Sequence, residues 1–399
     1  MAGALGFWVA GFWLAEDGWH HRRALWLVFP FVLLGADQIA RAVAGARWLW
    51  LVALLLGWQS LSRAWADPLV VQQGRIGDSI AVFVLAAALV STGRKKKLGE
   101  WIVGGLAILG AVVVLYSLLV FYGSSSRDLG VHRLRNMLVY SDGLNAVLTG
   151  MLCAAGAVAG AWFGLSVGKK AHQRLWLIVL GTLVFGLMAS QSRGPMLGLI
   201  AGLVVICLFH GRAFLSVGLW IGVVVGFYLL LTSWMGRSAD LVSADIVARG
   251  STGRIDIYRW FLERISGLEL VFGRGFGAGS SIPKEGLGWF VHHPHSSYLT
   301  QLILGGAIGL AVLLAVIGWS WRDAWRQGKR GECLWVALLS GGFVPLVVDG
   351  AEIFTLHSVP RLEWLMVVFP AALAAGRAYG SRTRAGSEKG SSQASKAGL

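Results

Sequence analysis

The chain has 399 residues, of which 56% are hydrophobic and 14% charged. A soluble domain of this length carries about 25% charged residues, so composition excludes an ordinary soluble enzyme and points to spanning helices. The formal net charge is +15, with arginine and lysine set between long apolar runs.

The apolar runs predict spans at 3–15, 24–40, 47–64, 77–93, 101–121, 144–167, 174–190, 194–209, 214–233, 296–321, 332–349 and 361–377. The fold class expected is an all-α polytopic membrane protein of about twelve helices. The first run, Leu5 to Ala15, lacks a basic leader and reads as a short or tilted helix rather than a cleavable signal peptide. The 55 glycines suit close helix packing in lipid, and the 20 tryptophans suit interfacial belts. Cys153, Cys207 and Cys333 lie in or beside apolar runs and read as buried small hydrophobes rather than as a disulfide or thiol site.

Two polar stretches break the pattern, 123–143 and 234–294. The expected organisation is nine helices over 1–233, a loop subdomain with an amphipathic helix over 234–295, three helices over 296–380, and a Gly/Ser/Ala/Lys-rich tail over 381–399 read as disordered and cytoplasmic.

Loop cations set the orientation. Arg94 to Lys97, then Lys169, Lys170 and Arg174, then Arg322, Arg326, Lys329 and Arg330, fall on one side together with the tail. That side is taken as cytoplasmic; Arg22 and Arg23 run against the rule. Eight of the nine lysines lie there, whereas the outer side holds fifteen arginines and only Lys284. Topology alone is indifferent between the two cations. A guanidinium grips phosphate with two parallel bonds, so this bias points to an anionic ligand on the outer face. The plainer reading is arginines paired to acids or snorkelling at the interface, but the whole chain has only 20 acidic residues.

Four outer constellations carry candidate chemistry. In Gln191-Ser192-Arg193-Gly194-Pro195, the proline suits a first helical turn and places Arg193 at a positive helix end, a ready anion site or the anchor of a tight turn. The stretch Ser251 to Ile265 reads as an amphipathic helix capped by Ser251 or Thr252. Within it Arg259 has Asp256 and Glu263 at ion-pair spacing, whereas Arg254 has no carboxylate in local reach and is open to a phosphate. In His292-His293-Pro294-His295-Ser296-Ser297-Tyr298, no cysteine or acid completes a metal set. His295 stands at a helix start, where the dipole favours the neutral ring, a general base near pH 7; a capping histidine is the alternative. Asp349-Gly350-Ala351-Glu352, with His357, lies near an outer span end, where Asp349 can orient a histidine, bind a sugar hydroxyl or neutralise an arginine. The glycine-rich stretch Leu270 to Gly279 neither follows a strand nor ends in Gly-Lys-Ser/Thr, so it is weak evidence for a phosphate loop.

Taken in order, Ser192-Arg193, Gly253-Arg254 with Tyr258 and Trp260, Gly273-Arg274-Gly275-Phe276-Gly277, His295-Ser296-Ser297-Tyr298-Leu299 and Gly305-Gly306 resemble the O-antigen ligase and O-antigen polymerase superfamily. The likeness covers about 185–310; Ser296 stands where the family often has asparagine. The resemblance implies a fold similar to type C membrane glycosyltransferases, with the active site facing the periplasm of a bacterial inner membrane. It implies a metal-independent transferase without cofactor. The donor would be a glycan on undecaprenyl pyrophosphate and the acceptor a sugar hydroxyl of lipid A–core, with membrane lipids around it and no nucleic-acid partner. Arg193 and Arg254 would hold the pyrophosphate and His295 would deprotonate the acceptor. Arg274, Tyr258 and Asp349 are the further candidates for binding substrate. An O-antigen polymerase is the near alternative. A transporter or flippase of anionic lipids is the alternative of another class, predicting midplane charges and pseudo-symmetric halves.

Overall fold

The structure is a computed structural model that describes residues 2–14, 26, 28–66, 76–123, 127–129, 131–138, 145–166, 170–211, 214–234, 253–276, 293–350, 353–354 and 363–397. Its elements are α1 (Ala2–Leu14), α2 (Ala36–Gly45), α3 (Arg47–Ser62), α4 (Ile76–Gly93), α5 (Lys96–Gly123), α6 (Ala146–Ser166), α7 (Lys170–Ser190), α8 (Arg193–His210), α9 (Phe214–Trp234), α10 (Arg254–Arg264), α11 (Gly267–Phe272), α12 (Ser297–Gly328), α13 (Leu334–Phe343), α14 (Pro345–Val348), a π-helical turn (Trp364–Val368) and α15 (Phe369–Ala397). No β-strand occurs among the described residues.

Among the described residues, six helices are long and apolar enough to cross a membrane: α5, α6, α7, α8, α9 and α12. A seventh is counted if α2 and α3, which meet at 90°, form one broken span; three shorter apolar helices lie at 3–14, 79–93 and 334–348. The chain is a multi-pass membrane protein.

Where the structure departs from the hydropathy pattern, backbone chemistry gives the reason. The run expected as one span over 24–40 turns at Leu34-Gly35, and its continuation α2 ends at Gly45. The run over 332–349 is interrupted at Val344, because Pro345 has no amide to continue the ladder and opens α14 instead. The last helix passes Gly380 and continues to Ala397, through the segment whose composition predicts disorder. Cys153 and Cys333 are buried, while Cys207 is exposed on α8 rather than buried. The expected capping of the amphipathic helix also changes: α10 starts at Arg254 behind Gly253, whose φ of 72° suits only glycine, and Ser251 and Thr252 lie outside the described residues. Arg259 is exposed and makes no ion pair among the described residues, so its two helical acids do not hold it.

The core is a bundle in which α6 packs along α7 and α8, α8 along α13, α4 along α15, and α12 between α3 and α15. Small residues permit the closest crossing. A Cβ on Gly198 of α8 would stand 2.5 Å from the Gly341 carbonyl of α13, which brings α8 close to the chain leading into α14.

Helix α12 is broken at Gly306 (φ 66°). The break frees the carbonyls of Ile303 and Leu304 from helical partners, and the amides of Arg274 and Gly275 bond them at 2.8 and 3.0 Å. Trp58 Nε1 donates to the Gly305 carbonyl at 2.8 Å, Trp65 Nε1 to the Gly273 carbonyl at 3.2 Å, and the Phe276 amide to Ser62 Oγ at 3.1 Å. The Gly-Arg-Gly-Phe stretch therefore serves as a wedge between α3 and the α12 kink. Beyond Gly306, α12 runs about 33 Å at 1.5 Å per residue, one hydrocarbon thickness.

The two ends of the bundle differ in chemistry. At one end Arg377 forms a two-bond pair with Glu332 (2.8 and 2.6 Å), and buried Asp323 faces Arg322 and Arg382. The other end collects the starts of α8, α10 and α12 and the end of α14.

Candidate active site

Three distant segments meet at that second end. Arg254 is the first residue of α10, His295 precedes the cap of α12, and Asp349 follows α14. The face of α10 carrying Ile257 and Phe261 is buried with Ile265 against Ile303, Leu304 and Phe276, which fixes α10 on α12 and with it the direction of Arg254. Ser296 caps α12 by accepting from the Leu299 amide at 3.3 Å. The cap role thus falls to Ser296, and His295 stands just outside the helix with φ 53°, a left-handed conformation uncommon outside glycine.

Asp349 is the hub. One carboxylate oxygen lies 3.2 Å from Arg254 Nη2. The other accepts the Gly350 amide at 2.8 Å and faces His295 Nδ1 at 3.6 Å, a charge contact longer than a hydrogen bond. Its side chain is 13% exposed, against 28% for Arg254 and 37% for His295. Burial alone pushes the Asp349 carboxyl up, but the His295 ring, the Gly350 amide and the Arg254 guanidinium together outweigh it and hold the group below the usual carboxylate range. Asp349 is accordingly an anion throughout the neutral range.

Tyr258 staples this arrangement. Its hydroxyl lies 3.1 Å from the His295 carbonyl and 3.2 Å from the Val347 carbonyl, and donates to one or the other. Burial raises the phenol, with Arg254 lowering it and Asp349 raising it further. His293 supports His295 from the other side: its Nδ1 accepts the His295 amide at 3.1 Å, and the rings lie 4.2 Å apart.

Arg193 reaches the same end by another route. It opens α8, and a Cβ on the next residue, Gly194, would stand 3.5 Å from Val348 Cγ2, immediately before Asp349. The structure does not bring Arg274 into this group. Arg274 pairs with Glu269 at 3.3 Å, and its amide is tied to Ile303, about 12 Å along α12 from His295. No three His, Cys, Asp or Glu side chains converge as a metal set among the described residues.

Two neighbours extend the site: Gly350, named in the sequence only as the residue after Asp349, and Glu363, which sequence reasoning missed; Glu352 and His357 lie outside the described residues. Gly350 has φ 95°, and a Cβ there would stand 2.6 Å from Ser297 Oγ, 2.8 Å from Leu346 Cδ2 and 3.2 Å from Glu363 Oε1. Glu363, buried to 6% exposure, is thus an acid at the edge of the site, and its position at the head of an apolar run was the available signal. Gly350→Ala is expected to cost about 1–3 kcal/mol in backbone strain. It should also displace the Asp349 carboxylate; thermal melting of the detergent-solubilised protein reads the first effect and an activity assay the second.

The π turn that follows Glu363 borders an apolar fissure of about 510 Å³, open space at its mouth included, among α1, α5, α6 and α13. Trp13, Leu106, Leu152, Gly156, Leu338 and Phe369 are among its walls.

No curated protein matches this chain. Residues 176–314 match the family model described as O-antigen ligase. That stretch holds Arg193, Arg254, Arg274 and His295 and stops short of Asp349. Over those residues, which include the starts of α8, α10 and α12, the chain is similar to the O-antigen ligase family.

Proposed function

We propose that this protein transfers a glycan from undecaprenyl pyrophosphate to a sugar hydroxyl of lipid A–core, at the periplasmic end of about twelve inner-membrane helices. The observation that carries the reading is the meeting of Arg254, His295 and Asp349 beside the start of α8, from segments far apart in the chain.

The chemistry follows from the geometry. Asp349 facing Nδ1 favours a proton on that nitrogen and leaves Nε2 as the lone-pair nitrogen. Nε2 takes the proton of the acceptor hydroxyl as its oxygen attacks the anomeric carbon. The bond from that carbon to the phosphate oxygen breaks, and its electron pair leaves with the undecaprenyl pyrophosphate. Asp349 then balances the imidazolium. Negative charge growing on the leaving group is met by Arg254 and Arg193. The Asp349 contact uses only Nη2 of Arg254, and a guanidinium has five N–H donors, so the remaining edge can grip phosphate. One base acting on the acceptor hydroxyl implies single displacement with inversion, and a glycosyl–enzyme intermediate trapped on a carboxylate would refute it.

The test is reconstitution with undecaprenyl-pyrophosphate glycan and purified lipid A–core, read as a size shift on a gel, with and without a chelator. A shift in both conditions supports the proposal. Extension only when a second lipid-linked glycan replaces lipid A–core makes the protein a polymerase, and no covalent product with either acceptor refutes transfer.

A further inference from the structure

The segment 131–138 lies outside the stretch matched to the ligase family, yet it is bonded directly to the turn that aims Arg193. Arg133 Nε donates to the Ser190 carbonyl at 3.0 Å, and its Nη2 to Ser192 Oγ at 2.8 Å. One guanidinium thereby spans the last residue of α7 and the residue before α8. Gln191 between them has φ 51°, a left-handed conformation that a non-glycine residue holds only when its surroundings enforce it. The Leu134 amide adds a bond to the Ala189 carbonyl at 2.9 Å.

The rest of the segment is anchored in the bundle. The Asn136 amide bonds Thr149 Oγ1 at 3.0 Å, Asn136 Nδ2 bonds the Trp13 carbonyl at 3.1 Å, and the Met137 amide bonds Ser117 Oγ at 3.1 Å. Arg133 is therefore held from α1, α5 and α6. The Ser192 hydroxyl accepts from Arg133 and lies 3.1 Å from the Ala146 carbonyl, so it is not spent capping α8, whose start has no side-chain cap.

We infer that Arg133 is a positioning residue for Arg193: it locks the Ser190–Ser192 turn and so fixes the direction in which Arg193 meets a lipid-linked diphosphate. This rests on the reading of Arg193 as a diphosphate ligand. The role asks for arginine, because a planar fork reaches a carbonyl and a hydroxyl on two successive elements at once, whereas an ammonium is a single point.

The experiment is a double-mutant cycle on the full-length protein in detergent, titrated with farnesyl pyrophosphate by calorimetry. Arg133→Ala is expected to weaken binding about tenfold in the wild-type background and to change it less than about twofold in Arg193→Ala. Arg133→Lys should fall between, and keeps the test alive if the alanine variant does not fold. An equal loss in both backgrounds, or no loss where Arg193→Ala alone loses binding, overturns the inference while leaving the function standing. If Arg193→Ala itself binds farnesyl pyrophosphate as the wild type does, the reading of Arg193 falls and this inference falls with it.

Discussion

Arg254→Ala will lower glycan transfer at least about a hundredfold while the chain remains folded. Folding survives because α10 is held by Ile257 and Phe261, not by the arginine, which is 28% exposed. Activity does not, for two reasons. A preorganised cation facing charge that grows in the transition state contributes about 3 kcal/mol, because water must reorient to do the same. Asp349 also loses one of the groups that hold its carboxyl down, and with it a fixed direction toward His295. Arg254→Lys will recover little, since an ammonium cannot contact Asp349 and grip a diphosphate with parallel bonds together. Single-turnover transfer from undecaprenyl-pyrophosphate glycan measures the effect, with melting temperature as the folding control. Near-wild-type transfer by Arg254→Ala would take this residue out of the reaction.

The pairing of Arg254 with Asp349 shows where sequence reading reaches and where it stops. Helical spacing shows that no acid within four residues can meet Arg254, and that holds in the structure. The acid that does meet it lies 95 residues away, on the turn after α14, a distance no local rule spans. Most helices were legible because lipid demands long apolar runs: the spans expected over 77–93, 144–167, 174–190 and 214–233 lie within a few residues of α4, α6, α7 and α9. The breaks were not legible. Glycine in a membrane helix serves close packing as readily as a kink, so Gly198 and Gly306 look alike in the sequence, and only the amides of Arg274 and Gly275 on the freed carbonyls tell them apart. The same wedge gives the glycine-rich stretch, weak in the sequence as a phosphate loop, a packing role over 273–276. His295 was legible as a residue at a helix start and Asp349 as an acid open to a histidine or an arginine, but the left-handed backbone of His295 was not, and which of those partners Asp349 takes comes from tertiary contacts.

His295→Ala will reduce transfer by about two to four orders of magnitude and leave binding of the lipid diphosphate unchanged, because the ring moves a proton and the arginines hold the charge. Asp349→Asn separates the two tasks of the hub. In wild type one oxygen serves Gly350 and His295 and the other serves Arg254. An amide has one oxygen. Turned to keep the Gly350 amide and His295, it aims its NH₂ at a guanidinium; turned to keep Arg254, it aims the NH₂ at the Gly350 N–H. Either way one donor faces another, and the ring loses the anion that balances its proton. The expected loss in transfer is at least about tenfold and at most about 10⁴-fold, the upper value being that for an amide replacing the carboxylate that orients a general-base histidine. Unlike His295→Ala, Asp349→Asn should also alter affinity for the diphosphate, because Arg254 is released from its anchor. Calorimetry with farnesyl pyrophosphate beside a single-turnover assay distinguishes the pair. If His295→Ala loses binding along with turnover, the ring is holding substrate and the proton must leave by another group. If Asp349→Asn leaves both unchanged, the contacts of Arg254 and His295 with this carboxylate are structural coincidence and the hub has no part in the chemistry.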